Sequence, residues 1–213
     1  MYHRRTPPFL PYIAALASAW LAIAANPLSV RAQGWASAIS AFIFDPPRDD
    51  AFGMGIATAD RAALHLEARY NYENLDTGSA FVGWNFAGDG EVDWSATPIL
   101  GLVVGKTDGL APGFEAELGW RALLLYVESE YVFDFDNNDE SFLYTWIEAT
   151  GSPTEWLRTG LVAQKTKLYH TDLDVQRGLM LEGTRAAWSL GVYWFNLDRS
   201  DDDLFAAALS YQM

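Results

Sequence analysis

Residues 63 to 73, ALHLEARYNYE, alternate with hardly a fault. Leu64, Leu66, Ala68, Tyr70 and Tyr72 fall on one side of an extended chain; His65, Glu67, Arg69, Asn71 and Glu73 fall on the other. Successive strand side chains point to opposite faces, so a period of two predicts a strand. The polar face is ionic rather than merely polar, and the apolar face ends in tyrosines. The same alternation returns down the chain and predicts strands at 37–45, 51–59, 62–73, 78–87, 91–104, 113–121, 123–134, 141–150, 155–167, 176–186, 188–197 and 203–212. Its apolar sets are consistent, as in Ala80, Val82, Trp84 and Phe86, or Trp188, Leu190, Val192 and Trp194. The first two strands are short and weakly patterned, which leaves ten strands as the alternative to twelve. No stretch sustains a helical period, and no linker marks a second domain.

The connections alternate as well. After even-numbered strands they are tight: Ala-Asp-Arg at 59–61, Gly-Asp-Gly at 88–90, Arg121-Ala122, Ser152-Pro153-Thr154 and Ala187. After odd-numbered strands they are longer and acidic: DPPRDD at 45–50, NLDTG at 74–78, KTDGLAPG at 106–113, DFDNNDES at 134–141, YHTDLDVQ at 169–176 and DRSDDD at 198–203. A soluble sandwich buries its apolar face and has no reason to sort its loops in this way. A transmembrane barrel turns the apolar face to lipid and the ionic face to the lumen, with short turns at one end and long loops at the other. The expected fold is therefore all-β, an antiparallel transmembrane β-barrel of twelve strands, with short periplasmic turns and longer acidic external loops.

Composition sharpens the picture. Arg4 and Arg5 precede an uncharged apolar run from about Ile13 to Ala25, and Val30-Arg31-Ala32 follows. This is the pattern of a secretory signal peptide, and the run is short for a spanning helix of roughly 20 residues. The expected organisation is a signal peptide over 1–32, cleaved near Ala32, and a barrel over 33–213. Removing three arginines takes the formal charge from −14 to −17. Such acidity argues against nucleic acid and anionic lipid surfaces as partners. The chain has no cysteine, so disulfides and thiolate metal sites are excluded. Nine tryptophans and ten tyrosines supply the aromatic girdle that a membrane wall requires.

The last ten residues, LFAAALSYQM, put Phe205, Ala207, Leu209, Tyr211 and Met213 on the outward side. With the signal and the barrel pattern, this resembles the closing strand of bacterial outer-membrane β-barrel proteins, with Met213 where an aromatic is usual. The resemblance covers nearly the whole chain but only at the level of architecture. It implies a porin-like protein of the Gram-negative envelope, in contact with outer-membrane lipid and lipopolysaccharide. It also implies that the barrel-assembly machinery reads the C-terminal strand.

Motifs of chemistry are few. GLVVGKT at 101–107 is one residue short of a phosphate loop and leaves a strand, not a helix. The carboxylates from Asp134 to Glu140 begin like a calcium loop, but Asp139 and Thr145 stand where Gly and the bidentate Glu belong. That segment reads as a solvated acidic loop, with loose divalent cations bridging to lipopolysaccharide as the alternative. After the signal only His65 and His170 remain, and His170 with Asp172 and Asp174 is the one rim cluster of catalytic type. No catalytic residue, cofactor or metal centre is assigned from the sequence, and an outer-membrane enzyme is the least favoured reading.

The chemistry concentrates in the lumen. Inward positions include Glu67, Glu73, Glu91, Asp93, Glu115, Glu117, Glu128, Glu130, Glu148 and Glu182, against His65, Arg69, Arg121 and Arg158. A ring of carboxylates selects cations, so Glu67, Arg69, Glu115, Glu117, Glu128, Glu130 and Arg158 are the candidates for a lumen or selectivity site. A turn over Arg121 to Leu124 sets Glu117 opposite Glu128 and Glu115 opposite Glu130. Two functions stand side by side: a narrow channel for cations or small solutes, and a non-conducting structural or adhesion-type barrel.

Overall fold

A computed structural model describes residues 34–47, 49–167, 175–198 and 202–213. The proposed signal segment and the His170, Asp172 and Asp174 cluster lie outside the described residues. Twelve strands form one closed antiparallel wall. They are β1 Ala36–Asp45, β2 Phe52–Arg61, β3 Leu64–Tyr70, β4 Thr77–Trp84 continuing over Phe86–Gly88, β5 Asp93–Gly105 and β6 Gly109–Trp120. The second half is β7 Leu123–Asp134, β8 Phe142–Thr154, β9 Leu157–Lys165, β10 Gln176–Arg185, β11 Trp188–Phe195 and β12 Leu204–Gln212. Each pairs with its sequence neighbours, and β1 pairs with β12 from Ala38↔Gln212 to Asp45↔Phe205, which closes the ring. In hydrocarbon no water can satisfy a free strand edge, so closure is what makes a β-wall possible there.

The lapse in β4 has a local cause. β4 pairs with β5 at Gly83↔Ile99 and again at Phe86↔Ala96, so Trp84 falls opposite Pro98 in the same register. Proline has no N–H to offer the ladder. The neighbouring Asn85 instead donates its backbone N–H to the Ala63 carbonyl at 2.7 Å and accepts from the Thr97 hydroxyl through its side chain.

Turns sort by end as the alternation requires. Two-residue turns at 62–63, 121–122, 155–156 and 186–187 join β2 to β3, β6 to β7, β8 to β9 and β10 to β11. Ala62, Arg121 and Ala186, the first residue of three of them, take positive φ of 54°, 57° and 54°. With Arg121 in that left-handed conformation, pairing starts at Trp120↔Leu123 rather than one residue later. The hairpin register therefore differs by two residues from the expected one: Glu115 faces Glu128, Glu117 faces Tyr126, and Glu130 faces Gly113. One expected long loop is absent. Gly109 to Pro112 pair with β5 and lengthen β6, leaving only 106–108 between the strands.

The two faces divide as the pattern demands. Ile43, Val82, Leu100, Leu118, Leu161, Val192 and Phe205 are exposed around the outside, and the ionic positions point in. Tyr72 departs from the outward assignment. β3 ends at Tyr70, Asn71 turns with φ of 56°, and this breaks the alternation so that Tyr72 and Glu73 both face inward. Asn71 is a turn residue that donates to the Gly53 carbonyl and accepts from the Asp76 N–H, not a lumen residue.

The interior is not purely polar. Phe42, Phe44, Phe52, Trp146, Tyr193 and Phe195 form one chain of ring contacts inside the long-loop half, with centroids 5.2 to 6.3 Å apart. Such ring pairs contribute about 0.5–1.5 kcal/mol each beyond their area. On the inner face of the closing seam, Phe42 and Phe44 lie opposite the small Ala208 and Ala206, and towards the short-turn end Ser210 hydrogen-bonds Ser40 at 3.0 Å.

The outward apolar face makes a depth-dependent prediction. Leu161 sits at the centre of β9 and is 61% exposed, whereas Trp156 is 60% exposed in a short turn. Charge on the lipid face costs about 2–4 kcal/mol for Arg at mid-membrane and about 0–1 kcal/mol near the surface. Leu161→Arg should therefore destabilise the refolded barrel well beyond Trp156→Arg in urea titrations with lipid bilayers. Equal costs would mean that the outward face does not meet hydrocarbon.

Candidate lumen site

Arg69 sits at the middle of the charged wall. Its position on β3 gives it the inward face, two residues from Glu67 on the same face. The guanidinium bonds Glu67 at 2.8 Å and reaches Glu128 at 3.0 Å and Glu130 at 2.9 Å, both on β7. Glu73, from the turn after β3, lies 3.5 Å away. Rings complete the cage, Tyr72 at 4.3 Å and Phe81 at 4.2 Å from the guanidinium carbon. A planar cation held between aromatic faces gains from their negative quadrupoles while its edge donates to carboxylates.

The acids have further partners. Glu128 accepts from the Tyr72 hydroxyl at 2.8 Å and the Tyr126 hydroxyl at 3.2 Å, and Glu73 accepts from Ser79 at 2.6 Å. Four carboxylates nonetheless meet one guanidinium. Glu73 is fully buried, and burial pushes its carboxyl above the usual range against the pull of Arg69.

A second group occupies the wall made by β8, β9 and β10. Arg158 donates to Glu148 at 2.7 Å and to Glu182 at 3.3 Å, and contacts Thr150 at 3.4 Å. Glu148 also accepts from the Trp146 indole at 3.1 Å and the Tyr193 hydroxyl at 3.4 Å, which ties this network to the aromatic chain. Glu117 lies within electrostatic reach of Arg158, yet its Oε2 has no hydrogen-bond partner.

Of the residues singled out in the sequence, Glu67, Arg69, Glu128 and Glu130 come together directly. Glu115 faces the same space from β6, across from His65 and Glu67. Arg158 and Glu117 stand apart from that cluster. Glu91, Asp93 and Arg121, expected inside, are exposed at the short-turn rim, where Arg121 packs over the Trp120 ring.

The sequence reading missed a third group. Asp60 accepts from His65 Nδ1 at 3.0 Å and from the Asn85 amide at 2.5 Å. The sequence pattern predicts a turn at Asp60, but the turn lies two residues on, so Asp60 pairs with His65 as a direct cross-strand neighbour. Tyr72 escaped because the turn at Asn71 breaks the alternation, whereas Tyr126 shares the inward parity of Glu128 and Glu130 and is legible from the pattern.

No protein-family model matches the sequence, and no curated protein matches it. Solved structures that share the fold include the KdgM porin, at TM-score 0.60, and the KdgM porin in complex with disordered oligogalacturonate, at 0.61. Each is 12% identical over 83% of this chain and 99% of that one. The chain is thus a closed twelve-stranded antiparallel β-barrel that resembles the KdgM porin in structure.

Proposed function

We propose that this barrel is a narrow outer-membrane pore that prefers cations, with its lumen drawn shut around Arg69 in the described state. The observation that carries the reading is the acid excess on the inner wall. Asp60, Glu67, Glu73, Glu115, Glu117, Glu128, Glu130, Glu148 and Glu182 line it, against Arg69, Arg158 and His65. A scaffold needs matched ion pairs, because each unpaired buried charge costs several kcal/mol of desolvation. Here Glu67 Oε1, Glu73 Oε2, Glu117 Oε2 and Glu130 Oε1 are buried with no partner. Water or passing cations are the natural complement to those oxygens.

The solute class follows from the sign of the wall. Oligogalacturonate, seen with the KdgM porin, is a polyanion. An inner surface with this acid excess repels polyanions and concentrates small cations or cationic solutes. Orientation follows the usual arrangement of such barrels, short turns in the periplasm and longer loops outside.

One observation favours the non-conducting structural barrel as the second reading. Glu128, Val132 and Phe195 have no exposed surface, and the aromatic chain from Phe42 to Phe195 crowds the long-loop half. Conductance separates the two.

Refolded protein in planar bilayers should show small, cation-selective steps. Gln at both Glu115 and Glu128, the directly opposed pair, should move the reversal potential toward zero in a salt gradient without unfolding the barrel. Arg69→Gln, which releases the carboxylates it gathers, should raise the open fraction. Silence from well-folded wild-type protein, or an unchanged reversal potential in the double variant, would sink the channel reading in favour of the scaffold.

A further inference from the structure

We propose that His65, Glu67 and Glu115 form a binding site for a first-row divalent metal ion, of which Zn²⁺ is the representative. The ligand atoms of these three side chains all lie within 4.8 Å of one another. His65 and Glu67 are two apart on β3 and share its inward face; Glu115 comes from β6. A tetrahedral ion with bonds of about 2.0–2.2 Å holds its donors roughly 3.3–3.6 Å apart. His65 Nε2 is already 3.7 Å from Glu67 Oε2, the oxygen shared with Arg69, and Glu115 offers its ligand atom within 4.8 Å of those of the other two residues.

The donors are prepared as well as near. His65 Nδ1 lies 3.0 Å from the Asp60 carboxylate, an acceptor that makes Nδ1 the donor and leaves Nε2 as the nitrogen for a metal, which would take the place of any proton there. A carboxylate behind a histidine is the usual support of a metal-bound imidazole. Asp60 is held in turn by Asn85, and Asn85 by Thr97. His65 Nε2 and Glu67 Oε1 are buried and have no hydrogen-bond partner, although Glu67 spends its other oxygen on Arg69.

An independent feature points the same way. Glu115 stands directly opposite Glu128, a like-charge pair that destabilises a hairpin; Arg69 compensates Glu128 at 3.0 Å, while no ion pair among the described residues reaches Glu115. A divalent ion on Glu67 and Glu115 supplies that charge. One imidazole with two carboxylates suits Zn²⁺ and its neighbours better than Mg²⁺ or Ca²⁺, which prefer all-oxygen shells. The Asp60–His65 pair lies one step from the short turn at 62–63, which places the site at that end of the barrel. The site does not depend on whether the barrel conducts.

The test uses protein extracted from outer membranes in detergent, stripped with chelator and titrated with Zn²⁺ alone. Calorimetry should show one equivalent bound, with Mg²⁺ in excess failing to displace it. Co²⁺ in its place should give the visible band of a tetrahedral ion. His65→Ala and Glu115→Gln should each weaken Zn²⁺ at least about tenfold, and Asp60→Asn about 10- to 100-fold. His170→Ala, which removes the other histidine beyond the signal, and Glu182→Gln should leave binding unchanged. If the His65 or Glu115 variants fail to fold, X-ray absorption on Zn²⁺-loaded wild type decides, one imidazole nitrogen in the shell being the expected result. An all-oxygen shell, affinity unchanged in His65→Ala, or binding lost in His170→Ala would overturn the site.

Discussion

Everything in this molecule follows from closing the wall. Once β1 pairs with β12, every strand has a neighbour on each side, and the backbone asks nothing of its surroundings. The outer surface is then free to be apolar, and the chain spends its leucines, valines and tryptophans there. Polar residues have one place left, the inside. The inverted distribution that looks anomalous in a single strand is a consequence of closure.

Putting charge inside a barrel of this width creates the second constraint. Most of the charged groups inside are buried, and the acids among them outnumber the bases. Arg69 manages the larger share by drawing acids from β3, its following turn and β7 onto one planar cation. Arg158 does the same on a smaller scale for Glu148 and Glu182. Aromatic residues fill much of the remaining space, and their hydroxyl and indole groups donate to the same carboxylates. The groups that brace the wall thus also set the sign of its field.

Much of the architecture was legible because its signal is repeated. Alternation in strand after strand gave the fold class, the strand count and the outward face of residues such as Leu66, Val82 and Trp194. What escaped depended on single residues. A positive φ at Arg121 moved one hairpin by two positions and paired Glu115, not Glu117, with Glu128. A positive φ at Asn71 turned Tyr72 inward. Neither leaves a mark in the hydrophobic pattern. The lumen's acidity was equally plain, but its partners were not, because Arg69 meets Glu128 and Glu130 across the barrel from 59 and 61 residues away in the chain. The alliance of His65, Glu67 and Glu115 is hidden for the same reason, since two of its members read as ordinary alternation.

Arg69 holds an otherwise repulsive set of acids together inside the barrel. A double-mutant cycle in denaturant titrations of the bilayer-refolded barrel measures this directly. Arg69→Met alone should cost about 3–5 kcal/mol, the usual result of stripping a buried charge network of its partner. Adding Glu128→Gln and Glu130→Gln to that variant should recover a large part of the loss, because the stranded carboxylates are then gone. If the three substitutions instead add independently, or if Arg69→Met costs nothing, Arg69 does not organise the lumen.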